Sequence, residues 1–145
     1  MAMFARISAA MVIALALAGA ATAATVEVEM LNKGEEGTMV FEPAFVRIQP
    51  GDTVKFIAAD KGHNAESIKG MIPEGAEPFA GKINEEIEVT LEAPGIYGVM
   101  CKPHFAMGMV MTIAVGDEAE MPANYLEGRL PPKAKQRLEN SLSNL

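Results

Sequence analysis

Apolar and polar residues alternate with a period of two along much of the chain up to Val115. Val26, Val28 and Met30 are interleaved with Glu27 and Glu29. Val54, Phe56 and Ala58 surround Lys55 and Ile57, and Ile87, Val89 and Leu91 alternate with Glu86, Glu88, Thr90 and Glu92. Successive side chains of a strand point to opposite faces, so this pattern predicts half-buried strands with acids toward water and aliphatics toward a core. Asn32-Lys-Gly34, Pro50-Gly51-Asp52, Pro94-Gly95 and Val115-Gly116-Asp117 read as turns between them. Short strands punctuated in this way predict an all-β sandwich or barrel. Residues 60–84 lack clean alternation and carry Gly62, Gly70, Pro73, Gly75, Pro78 and Gly81, which predicts a long, partly irregular connection.

Beyond Met121 the period changes. Residues 122–127 read as a short helix stopped by Gly128, and Pro132 suits the first turn of a second one. In that second helix Ala134, Leu138 and Leu142 fall at i, i+4 and i+8, on one face. The expectation is a small C-terminal helical appendage, 122–145, packed on the sandwich. A helix lying in a membrane surface would want a wider apolar face with aromatic residues.

The N-terminus alters how the rest is read. In residues 1–23 Arg6 is the only side-chain charge, an apolar run follows from Ile7, and Ala21-Thr22-Ala23 closes the segment. That is the pattern of a cleaved signal peptide. The apolar run is short for a bilayer span, and without a twin arginine the general secretory route is expected. Residues 24–145 are then one domain by size, exported to the periplasm. Arg6 leaves with the signal, so the formal charge of −7 becomes −8. Such an acidic balance argues against nucleic acid as a partner. An oxidising compartment drives cysteines into pairs, yet Cys101 is the only cysteine. It calls for another role, and a metal bond is one.

The local chemistry supports that role. Cys101-Lys-Pro-His104-Phe-Ala-Met-Gly-Met109 packs a thiol, an imidazole and thioethers into one loop, and the other histidine stands upstream in His63-Asn64. Taken singly, each residue has a plain reading. A lone cysteine is commonly a small buried hydrophobe, and Met107, Met109 and Met111 alternate as one face of a strand would. Taken together, a thiolate with nitrogen ligands suits Cu(I), zinc or an iron-sulfur site. Two His, one Cys and a weak axial Met form the set of a blue-copper electron-transfer centre. Zinc gains little from a methionine. Spacing leaves both Met107 and Met109 open as the fourth ligand. A thiol nucleophile, Cys101 with His63 or His104 as base, lacks a third orienting group. A multicopper oxidase would need many more than two histidines. Copper storage or handover fits poorly with four unlike ligands on a rigid sandwich.

The loop, extended back to Gly95-Ile-Tyr97, resembles the copper loop of the cupredoxins. Met30-Leu-Asn-Lys-Gly34, Met39-Val-Phe-Glu-Pro43, Lys61-Gly-His-Asn64 and the two-helix tail narrow the resemblance to one branch of that family. It covers nearly all of 24–145. The resemblance implies a Greek-key β-sandwich of about eight strands holding one copper ion that cycles between Cu(I) and Cu(II). By the same likeness His63, Cys101, His104 and Met109 are the ligands, and the protein is an electron carrier rather than an enzyme. Asn64 is expected to tie the His63 segment to the Cys101 loop, and Tyr97 to brace the sandwich. Met39, Pro103 and Met107 would surround the exposed edge of His104 as an apolar docking patch, ringed by Lys33, Lys61, Lys82 and Lys102. Met100 departs from the family, where a lysine often precedes the cysteine. The implied partners are redox proteins, with a nitrite reductase in denitrification as acceptor. A monomer without stable membrane association is expected.

Overall fold

The computed structural model describes residue 19 and residues 21–145, so the segment read as a signal peptide lies almost wholly outside the described residues. Among the described residues eight strands precede one α-helix. They are β1 (Thr25–Gly34), β2 (Gly37–Glu42), β3 (Phe45–Ile48), β4 (Thr53–Ile57), β5 (Glu66–Ser67), β6 (Ile87–Thr90), β7 (Gly95–Met100) and β8 (Val110–Val115), with α1 at Pro132–Leu142. One sheet is ordered β2-β1-β4-β6 and the other β3-β8-β7-β5. β1 pairs with β4, and β3 with β8, in parallel; the remaining pairs are antiparallel. The chain changes layer after β2, β3, β4, β5 and β6, so segments close in sequence face one another across the core. This is a β-sandwich, one of the two architectures that the alternation allows and the one that the resemblance implies.

The inward residues fill the space between the sheets. Val28, Met30, Phe41, Val54 and Phe56 from the first meet Val46, Tyr97, Val99, Met111 and Ile113 from the second. Phe41 and Phe56 pack edge to face, ring centres 5.9 Å apart, a geometry the aromatic quadrupole favours. Tyr97 lies in this core and its hydroxyl donates to the Ala93 carbonyl at 2.7 Å, bracing the turn into β7. Burial pushes its pKa upward, which keeps the phenol a donor.

β8 departs from simple alternation because all six of its residues are buried. The cause is α1. Ala134, Leu138 and Leu142 form the buried face read from their spacing, and they pack with Ile68, Met71, Ile96, Val110, Ala114 and Tyr125 in a second apolar cluster. Within this packing Thr112 Oγ1 and Ser141 Oγ lie 2.6 Å apart, so the buried hydroxyls satisfy each other.

Two expectations are corrected. Residues 122–127 are not helical but form successive turns, closed by Tyr125 N–H to the Pro122 carbonyl and Glu127 N–H to the Asn124 carbonyl. Tyr125 is drawn inward, where its hydroxyl donates to Met71 O at 3.2 Å, and that anchoring replaces a helical repeat. Asn32-Lys-Gly34 is not a turn either. β1 continues to Gly34, which pairs with Gly37 around Glu35 and Glu36, and Gly37 takes a φ of 132° that favours glycine. The connection 60–84 is irregular as expected, apart from the short β5, which extends the second sheet alongside β7.

Candidate metal centre

The donor-bearing loop links β7 to β8. Cys101 directly follows β7, and residues Lys102–Met107 form a short 3-10 helix with Pro103 in its first turn and a kink at His104, where φ is −118°. Gly108 closes it at φ 85°. The two ends of the loop are hydrogen-bonded together: Cys101 N–H donates to Met109 O at 3.0 Å and Met109 N–H to His104 O at 3.1 Å. The β7–β8 ladder thus runs one step past Met100 and Val110 to hold Cys101 beside Met109. His63 enters from the connection between β4 and β5 and is fully buried.

Three donor atoms meet there. His63 Nδ1 and His104 Nδ1 are 3.1 Å apart, and Cys101 Sγ lies 3.7 Å from the first and 3.5 Å from the second. The point equidistant from all three is about 2 Å from each, close to the length of a metal–imidazole bond. The donor set therefore fits a metal ion in geometry as well as in type. Electrostatics agree. Desolvation lowers the pKa of His63, reinforced by His104 and opposed by Asp60, which favours a neutral imidazole ready to donate its lone pair. Burial pushes the Cys101 thiol up, the backbone N–H groups of Asn64 and His104 pull it down, and the Glu66 charge adds to the rise. A cation at the centre would supply the charge that a buried thiolate lacks.

Neighbouring residues hold the donors in place. Asn64 Oδ1 accepts from Lys102 N–H at 2.7 Å, while its Nδ2 donates to Glu66 Oε2 and Gly81 O. Asn64 therefore joins the His63 segment to the loop after Cys101. Asn84, at φ 67°, accepts from Gly62 N–H and donates its own N–H to His63 O at 2.8 Å. The sequence reading missed Asn32. Its Oδ1 lies 2.8 Å from His63 Nε2, so Nε2 carries the proton and Nδ1 faces the other donors. The clue in the chain is an asparagine that directly follows the strand alternation of 26–30, where its neighbours Lys33 and Gly34 also suit a turn.

Met109 is fully buried in the cluster that contains Cys101, whereas Met107 is 44% exposed. Pro103 and Lys102 are exposed in the loop itself. Met39 is half-buried on β2, opposite Asn32 between the pairs Leu31–Val40 and Lys33–Thr38. Lys33, Lys61 and Lys82 are exposed, and each is within two residues of Asn32, His63 or Gly81. Met100 packs against the outer cluster under α1.

Residues 28–116 match the plastocyanin/azurin family of copper-binding proteins. A pseudoazurin from Paracoccus pantotrophus is 52% identical over 131 residues, covering 90% of each chain. A pseudoazurin from Methylorubrum extorquens is 47% identical over 113 residues, 78% of this chain and 76% of that one. The refined crystal structure of pseudoazurin from Methylobacterium extorquens AM1 superposes with a TM-score of 0.78 at 41% identity, covering 83% of this chain and 98% of that one. Native pseudoazurin from Hyphomicrobium denitrificans gives 0.73 at 40% identity, with coverage of 83% and 98%.

Asn32→Leu removes the acceptor for His63 Nε2–H and frees the ring to turn. Metal affinity should fall by about 10–100-fold, the usual cost of losing such an orienting partner. Competition between the protein and a copper(I) chelator measures it. Wild-type affinity in the variant would show that Asn32 does not orient the ring.

Proposed function

The chain belongs to the pseudoazurins, within the plastocyanin/azurin family of copper-binding proteins, and from that membership we propose how its residues carry electrons. It is a type 1 copper electron carrier and not an enzyme. The observation behind the residue roles is the meeting of two imidazole nitrogens and one sulfur at hydrogen-bonding distance from one another. His63, Cys101 and His104 hold the copper ion, and Met109 is the weak fourth ligand. Its burial beside Cys101, against the exposure of Met107, supports that choice. Bound copper supplies a one-electron couple whose potential responds to the axial ligand and to hydrogen bonding around the sulfur.

The protein's part is to keep the donors still. Asn32 orients His63, Asn64 ties the two ligand segments together, and the Cys101–Met109 ladder step closes the loop. Donors held this way have little freedom to rearrange when the charge at the centre changes. His104 is half-buried and so offers a ring edge toward the surface for electron exit. Met39, Pro103 and Met107 form the apolar contact around that edge, and Lys33, Lys61, Lys82 and Lys102 draw in a partner with an acidic surface. The acceptor is a redox protein, with a nitrite reductase of denitrification as the proposed case. Residues 1–23 are a cleaved signal peptide, and the carrier works in the periplasm.

Copper loading tests the ligand set. The Cu(II) protein should be intensely coloured by thiolate-to-copper charge transfer, and Cys101→Ser should abolish the band while remaining folded. Met109→Leu should keep the colour and raise the reduction potential by at least ~59 mV, a tenfold shift in preference between the two oxidation states. Met107→Leu should leave the potential near wild type. A larger shift in Met107→Leu than in Met109→Leu would reverse the assignment.

Stopped-flow mixing with a nitrite reductase tests the docking residues. Lys33→Glu and Lys61→Glu should each slow association by roughly tenfold at low ionic strength, with the difference fading as salt is added. Potential and spectrum should not change. Equal rates and equal salt dependence across wild type and both variants would show that these lysines do not steer.

A further inference from the structure

Arg137 reaches from the tail helix to three backbone carbonyls. Nη1 donates to Met39 O at 2.7 Å and to Gly108 O at 2.9 Å, and Nη2 donates to Thr38 O at 2.9 Å. These carbonyls belong to β2 and to the last turn of the donor loop, which are far apart in sequence. At both places the backbone is left-handed, with φ 52° at Met39 and 85° at Gly108. A non-glycine residue resists that conformation and depends on its surroundings to hold it.

The strand pairing shows why Met39 needs such a partner. The β1–β2 ladder forms at Leu31–Val40 and Lys33–Thr38 on either side, but Asn32 N–H is directed to Asp60 Oδ2 at 2.7 Å. Met39 O is taken by the guanidinium instead. At the same position the Asn32 side chain reaches His63 Nε2 at 2.8 Å. At the other end Gly108 lies against the first turn of α1. A β-carbon there would come within 2.8 Å of Lys133 Cγ and 3.1 Å of the Lys133 carbonyl oxygen. Gly108 O and Met109 N share one planar peptide. Arg137 holds its oxygen, and His104 O accepts its N–H at 3.1 Å.

We propose that Arg137 is a positioning residue for the copper site, its planar fork fixing the Gly108–Met109 peptide and the Met39 backbone together. The proposal rests on Met109 being the weak copper ligand. Nη1 joins the two segments and Nη2 adds Thr38 O, and the planar guanidinium presents these donors in a fixed geometry that a shorter lysine, with its three N–H groups rotating on one nitrogen, does not reproduce. The tail helix then does more than cover β8, because it sets the peptide from which the Met109 side chain departs. Partial burial presses the pKa of Arg137 down and Glu36 opposes it, and the guanidinium stays charged throughout.

The test compares Arg137→Lys and Arg137→Gln with Leu142→Ala, a packing change on the same helix. In the metal-free protein both Arg137 variants should speed amide exchange at Met109 by about tenfold or more, in keeping with the loss of a charge-assisted bond, while Ile113 stays unchanged. With copper, both should shift the ratio of the visible charge-transfer bands and the reduction potential. Leu142→Ala should lower the melting temperature with neither shift. Should Arg137→Gln fail to fold, Arg137→Lys, which keeps the charge and the stem, decides alone. Wild-type exchange, spectrum and potential in Arg137→Lys would overturn the proposal, as would faster exchange without a spectral or potential shift. If Met109→Leu itself leaves the potential unchanged, the ligand assignment has failed and this proposal fails with it. Exchange at Met109 in the metal-free variants still reports separately whether Arg137 holds the loop.

Discussion

Two imidazole nitrogens 3.1 Å apart, with a sulfur within 3.7 Å of both, set three potential electron-pair donors at hydrogen-bonding distance around one point. A shared proton or a cation can satisfy all three at once, and burial of His63 and Cys101 keeps water from doing so. Desolvation drives the Cys101 thiol toward its neutral form and His63 away from its charged one. A flexible loop would let the donors drift apart. The sandwich does not, because Cys101 and Met109 continue the β7–β8 ladder, while Asn64 and Asn84 tie the His63 segment to its neighbours. The rigid sandwich thus holds together donors from segments far apart in sequence, as is common where local rules yield to function.

The remaining architecture follows from that need for a rigid end. β8 can carry apolar residues on both faces because α1 covers its outer side, and a strand buried on both faces has little room to shift. The hairpin of β1 and β2 has a complementary role. Where its ladder breaks at Asn32 and Met39, one side chain turns to His63 and one carbonyl turns outward to Arg137. At this break in strand pairing one contact goes to the His63 ring and the other, through Arg137, to the donor loop.

Much of this was legible in the chain. Alternation predicted the strands, the spacing of Ala134, Leu138 and Leu142 marked the buried face of α1, and the Cys101–His104 loop with distant His63 marked the donors. Features that depend on partners far away in sequence were not legible. Asn32 beside Lys33 and Gly34 looks like a turn unless His63 is known to lie 2.8 Å away. Residues 122–127 carry helix-compatible residues, but Tyr125 is drawn to Met71 and the segment folds as turns. Arg137 sits where a solvent-facing basic residue belongs on an amphipathic helix. Its three carbonyl partners, on β2 and in the donor loop, appear only in three dimensions. Local pattern reports which face a residue is on and is silent about what that face meets.

The central claim is that the fold, rather than the metal, sets the positions of the donors. Crystal structures of the metal-free, Cu(I) and Cu(II) forms at one pH test it most directly. His63 Nδ1, Cys101 Sγ and His104 Nδ1 should keep their mutual positions to within about 0.5 Å across all three, the tolerance of a preorganised site. Displacement of Cys101 or His104 by more than about twice that tolerance between the metal-free and Cu(II) forms would contradict the account.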